Sequence, residues 1–66
     1  MRLTVNGETR ELPAGFSVAM LVGRLTPAVR GVAVAVNGEV VPRSAWDATA
    51  LADGDQVEVL TAAQGG

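Results

Sequence analysis

The chain has no cysteine, no histidine and no tyrosine, and all of its basic residues are arginine. Without a thiol, an imidazole or a side-chain amine it lacks the commonest general base, the usual covalent nucleophiles and the Schiff-base group. Of the standard zinc ligands only carboxylates remain. The seven carboxylates show neither the spacing of a metal loop nor that of a paired acid and base. Asp53-Gly54-Asp55 comes nearest, and a turn accounts for it. This is not the composition of an autonomous enzyme. With no cysteine to read, disulfide usage says nothing about redox compartment.

Charge and hydropathy exclude further classes. The five arginines (Arg2, Arg10, Arg24, Arg30 and Arg43) stand singly, and the net charge is -2 with a pI near 4.7. A nucleic-acid surface would need basic residues in clusters. The longest apolar run, Gly31 to Val36, is far too short to span a bilayer. No basic segment followed by an apolar stretch marks a secretory signal at the N-terminus. The expectation is a cytoplasmic protein, monomeric when free, with neither nucleic acid nor membrane as partner.

What is present is enough for one small core. Sixty-six residues, 48% of them hydrophobic, lie near the lower limit for a domain that folds without disulfides or metal. Two Asn-Gly pairs, Asn6-Gly7 and Asn37-Gly38, each separate strand-like runs: Leu3 to Val5 from Glu8 to Leu12, and Val32 to Val36 from Glu39 to Val41. Asn-Gly supplies the positive φ at both central positions of a type I′ hairpin turn.

Between the hairpins, Ser17 is a good N-cap, and Val18, Leu21, Val22 and Leu25 recur with the period of one helical face. Phe16 before the cap and Leu21 form a hydrophobic staple. Pro27 drives Thr26 out of the helical region and ends the helix near Leu25. Gly23 costs the helix up to about 1 kcal/mol, so its stability must come from docking on a sheet.

In Val32 to Val36 valines alternate with alanines, which suits a central strand covered by the helix on its valine side. Pro42-Arg43-Ser44 breaks the second hairpin and leads through Trp46 to Leu51 as a short irregular or 3₁₀ segment. Asp53-Gly54-Asp55 turns into a last strand, Gln56 to Leu60.

Hairpin, helix, hairpin, connector and strand make an α+β domain. The reading is a β-grasp (ubiquitin-like) fold over residues 1–60, one helix crossing a mixed sheet of four or five strands. The expected core is Leu3, Val5, Leu12, Val18, Leu21, Val22, Leu25, Val34, Val36, Leu51, Val57 and Val59.

Residues 61–66 read as a mobile C-terminal tail ending in Gly65-Gly66. Glycines have no Cβ to collide with a narrow passage, so Gly65 serves passage and Gly66 presents an unhindered α-carboxylate. The last six residues, fully extended, reach about 20 Å. That is enough to thread a partner's active site while the body stays outside. An α-carboxylate titrates near pH ~3.5 and is inert to nucleophiles at pH ~7 until it is activated. Strand alternation turns Glu58 and Leu60 outward. Leu60, expected beside Arg2 and Thr4, is with Glu58 and Gln64 a candidate for partner docking, although single exposed leucines are common.

Val36-Asn37-Gly38-Glu39-Val40-Val41-Pro42-Arg43, Trp46, Leu51-Ala52-Asp53-Gly54-Asp55-Gln56-Val57-Glu58 and the terminal Gly65-Gly66 resemble the thiamin-biosynthesis sulfur carrier family, ThiS, over essentially the whole chain. The resemblance implies a protein co-substrate with no intrinsic cofactor. A ThiF-like adenylyltransferase, using ATP and Mg, would activate the Gly66 carboxylate. Sulfur from a cysteine desulfurase would then form a thiocarboxylate, and a ThiG-like thiazole synthase would take that sulfur for thiamin. Arg43 and Trp46 match the family, and their expected role is structural, the aromatic covering the open end of the core. Asp55 is a turn residue first, and a seat for a partner's arginine second. Three other readings stay open: sulfur donation to molybdopterin or tRNA thiolation, protein conjugation, and a plain interaction module with an incidental tail.

Overall fold

The computed structural model describes residues 1–27 and 30–62. Both Asn-Gly pairs adopt the left-handed backbone their sequence favours, with φ of 51° and 81° at Asn6 and Gly7 and 52° and 84° at Asn37 and Gly38. They close two antiparallel hairpins. The first joins β1 (Arg2–Val5) to β2 (Glu8–Glu11), and the second joins β3 (Val32–Val36) to β4 (Glu39–Val41). The last strand, β5 (Gln56–Thr61), runs one residue beyond its expected end. It enters between the hairpins, parallel to β1 and antiparallel to β3, giving the five-stranded order β2-β1-β5-β3-β4. The central strand is therefore β5, and β3 lies one place from the edge. With a single helix across one face, this is the β-grasp architecture.

Helix α1 (Val18–Leu25) starts and stops where the sequence places it. The hydroxyl of Ser17 accepts from the Met20 N–H at 3.1 Å, and Leu21 N–H donates to Ser17 O. Val18 and Ala19 N–H donate to the carbonyls of Thr49 and Trp46. The connector after β4 thus meets the N–H groups that a helix start leaves without intrahelical partners. At the other end Thr26 is extended, as the residue before a proline should be. A 3₁₀ turn, Arg43–Ala45, opens the connector as expected.

The core lies between helix and sheet. Leu3, Val5, Val18, Leu21, Val34 and Val57 are its most deeply buried large side chains, joined by Leu12, Val22, Leu51 and Val59. Two expectations change. Leu25, the last helical residue, and Val36, at the end of β3 beside exposed Glu39, are only half-buried and pack on the rim. Phe16 is buried as well, and Trp46 is buried over the open end of the core, as expected. Phe16 O accepts from Leu51 N–H at 2.8 Å, and the Trp46 indole N–H donates to Val41 O at 2.9 Å. The indole therefore closes one end of the core without stranding its polar atom.

Candidate functional site

Strand β5 determines what each face of the sheet shows. Val57 and Val59 point into the core, so Glu58 and Leu60 point to the face that no helix covers. The register then sets their neighbours. Leu60 pairs with Ala33 and Glu58 with Ala35 on β3, and Ala35 pairs with Val40 on β4. Leu60 is 68% exposed and Val40 77%. With Ala33 and Ala35 they line a shallow depression of about 210 Å³ that Asn6 and Glu58 border.

The expected neighbours of Leu60 need correction. Thr4 pairs with Gln56, four residues before Leu60, and Arg2 sits further off still, its N–H donating to Asp53 Oδ1 at 2.6 Å. A parallel β1–β5 register separates these residues along the strand. The open face is thereby split. Arg2, Glu11, Thr4, Thr9 and Gln56 make a polar half, with Arg2 and Glu11 paired at 3.0 Å. Leu60, Ala33, Ala35 and Val40 make the apolar half.

Val40 was not among the expected docking residues. The signal for it was the alternation in β4, where Val41 pairs with buried Val34 and so sends Val40 to the opposite face.

Both turn asparagines do more than turn the chain. The carboxamide of Asn6 accepts from Val59 N–H at 2.8 Å and donates to Val59 O at 3.1 Å. It prolongs the β1–β5 ladder with a side chain. Asn37 accepts from Gln56 N–H at 3.0 Å and donates to Asp55 Oδ1 at 2.9 Å. Asp55 Oδ2 accepts from Ala52 N–H at 2.8 Å. Both carboxylate oxygens of Asp55 thus brace its turn, the first of the two roles expected of it. Arg43 stacks over Trp46 with its guanidinium carbon 5.7 Å from the ring centre.

Past Val59 the strand is held from the β3 side. Val32 pairs with Thr61, and Ala62 N–H donates to Gly31 O at 2.6 Å. Gln64, Gly65 and Gly66, with the expected tail mobility, lie outside the described residues. Among the described residues no three carboxylates gather as a metal site, and no helix is long and apolar enough to cross a membrane.

Fold and face together define a class: a β-grasp domain with a half-apolar open sheet face beside the strand that leads to its C-terminal segment. The ThiS family model matches residues 3–66, and the chain belongs to the ThiS family. It is 32% identical to the sulfur carrier protein ThiS of Escherichia coli K12 over the whole of both chains. It is 41% identical over its full length to a thiazole synthase of Paramagnetospirillum magneticum, of which it spans only 20%. The crystal structure of the thiamine biosynthesis protein ThiS from Geobacter metallireducens superposes with a TM-score of 0.82 at 41% identity, covering 92% of this chain and 93% of that one.

Proposed function

We propose that the protein carries sulfur as a thiocarboxylate on Gly66 and delivers it to a thiazole synthase for thiamin formation. The observation that carries this reading is the family match running through Gly65 and Gly66 on a chain without cysteine. Sulfur cannot ride here as a persulfide on a side chain. A carboxylate can hold it once activated.

In this reading a ThiF-like enzyme transfers AMP from Mg-ATP to a Gly66 carboxylate oxygen and releases pyrophosphate. A sulfur nucleophile derived from a cysteine desulfurase attacks the acyl carbon, and AMP leaves. With a persulfide as that nucleophile the product is an acyl disulfide, and a second thiol then attacks the donor's sulfur, forming a disulfide and releasing the thiocarboxylate. The body of the protein contributes no catalytic group and acts in the cytoplasm as a handle. Likeness to one fifth of a protein named thiazole synthase supports that enzyme as the acceptor.

The apolar half of the open face is where the adenylating enzyme docks. Leu60 lies six residues before Gly66, so an enzyme holding the terminus sits within about 20 Å of it. Leu60 is the anchor and Glu58 its polar border, with Gln64 outside the narrow passage that Gly65 threads.

The test supplies the purified thiocarboxylate form to thiazole synthase with its remaining substrates. Thiazole should form in proportion to the thiocarboxylate consumed. Failure to form it, together with failure to rescue a thiamin-requiring strain, would move the sulfur to another acceptor.

A further inference from the structure

Where the chain leaves the sheet, one glycine meets one alanine. Gly31 has φ of +72°, a backbone state that side chains rarely adopt. A Cβ built there would stand 2.7 Å from the Cβ of Ala62, closer than such atoms pack, with Ala62 N and Cα at 3.6 and 3.7 Å. The same glycine's carbonyl accepts from Ala62 N–H at 2.6 Å. Gly31 thus admits Ala62 sterically and holds it by hydrogen bond.

The alternation of backbone groups along β5 shows why this contact matters. Residues 57 and 59 turn their backbone groups toward β1, where Asn6 N–H reaches Val57 O and the Asn6 side chain pairs with Val59. Nothing described continues that side. The opposite side carries the strand on through Leu60 beside Ala33 to Ala62 beside Gly31.

We infer that Gly31 is a positioning residue that fixes Ala62, the last described residue before the sulfur-bearing Gly66. This inference rests on the proposed role of Gly66. Gly66 lies four residue steps beyond Ala62, a reach of at most about 14 Å. Releasing Ala62 moves the last fixed point of the strand back toward Leu60. Thr61 and Ala62 must then be ordered anew each time the terminus enters the adenylating enzyme. The cost falls on productive encounter, hence on KM, and leaves kcat unchanged.

The experiment compares wild type, Gly31→Ala, Ala62→Gly and the double variant, reading amide exchange at residue 62 and adenylation kinetics with the partner enzyme. Gly31→Ala should speed exchange at Ala62 and raise KM about two- to tenfold, the range of one lost hydrogen bond, with kcat and protection at Val34 and Val57 retained. Ala62→Gly alone keeps the N–H donor and should change both readouts less than Gly31→Ala. Combined with Gly31→Ala, it removes the 2.7 Å contact but leaves the alanine at a positive φ, so both readouts should recover only in part. Ala62→Pro removes the donor while keeping Gly31, and should raise KM even where Gly31→Ala folds poorly.

An unchanged KM with the Ala62 amide exposed would overturn the inference. A wild-type protein that is never adenylated would defeat the sulfur-carrier reading instead, and the exchange data would then still decide whether the clamp exists.

Discussion

The sheet has two faces, and β5 serves both with alternate residues. On one side Val57 and Val59 join Leu3, Val5 and Val34 beneath the helix, with almost no exposure. On the other, Leu60 and Val40 stand open beside two alanines. The covered face is apolar along β1, β3 and β5 and charged only at its two edge strands, where Glu8, Arg10 and Glu39 pair with Val5, Leu3 and Val36. The open face is apolar only in the half from which the C-terminal segment departs. A small domain gains most from burying every large aliphatic it has. In the proposed function, the side chains left exposed together where the C-terminal segment departs serve recognition. Stability and recognition are then separable at single-residue spacing along one strand.

Leu21→Ala on the covered face should have the largest effect, lowering unfolding free energy by about 2–5 kcal/mol. In a chain of this size that approaches the total, so the denaturation midpoint should collapse. A loss no greater than that of an exposed-face variant would break the comparison.

Asn6→Ala should come next, at about 1–3 kcal/mol, because Val59 N–H and C=O lose their partner in a part-buried setting. Urea unfolding reads this directly, and a negligible change would mean that solvent replaces the carboxamide without penalty.

Leu60→Asp sharpens the comparison from the other side. Stability should stay within about 0.5 kcal/mol. Affinity for the adenylating enzyme, measured by calorimetry, should fall tenfold or more, about 1.4 kcal/mol. Val40→Ser should weaken the same binding by a smaller factor, again without unfolding the protein. Unchanged affinity in both would leave the open face without its assigned role.

Much of this organisation was legible beforehand, for physical reasons. Asn-Gly turns declare themselves because few residue pairs accept two positive φ angles in succession. The helix was bounded by a capping serine and a proline, both acting on neighbouring backbone. Alternation in β5 and in Val32 to Val36 announced two-faced strands.

What stayed hidden depends on contacts distant in sequence. The parallel β1–β5 register, which parts Leu60 from Arg2 and Thr4, has no local signature. Nor do the asparagine side chains that reach across to β5, since their turn role was already a sufficient account of them. Phe16 is buried because the connector folds back over the helix start, and Leu25 and Val36 reach only the rim because they end their elements. For the candidate site, Leu60 and Glu58 followed from strand period, while Val40 required the pairing of β4 with β3. Gly31 required a clash distance that only coordinates supply.

The claim on which the account rests is that Gly66 carries the sulfur. Its most direct measurement is the intact mass of the protein after incubation with the adenylating enzyme, Mg-ATP and a sulfur donor, followed by fragmentation. A single oxygen-for-sulfur exchange confined to Gly66, and absent when that residue is deleted, is the predicted result. An unaltered mass with an enzyme shown to be active, or sulfur found anywhere else on the chain, would contradict it.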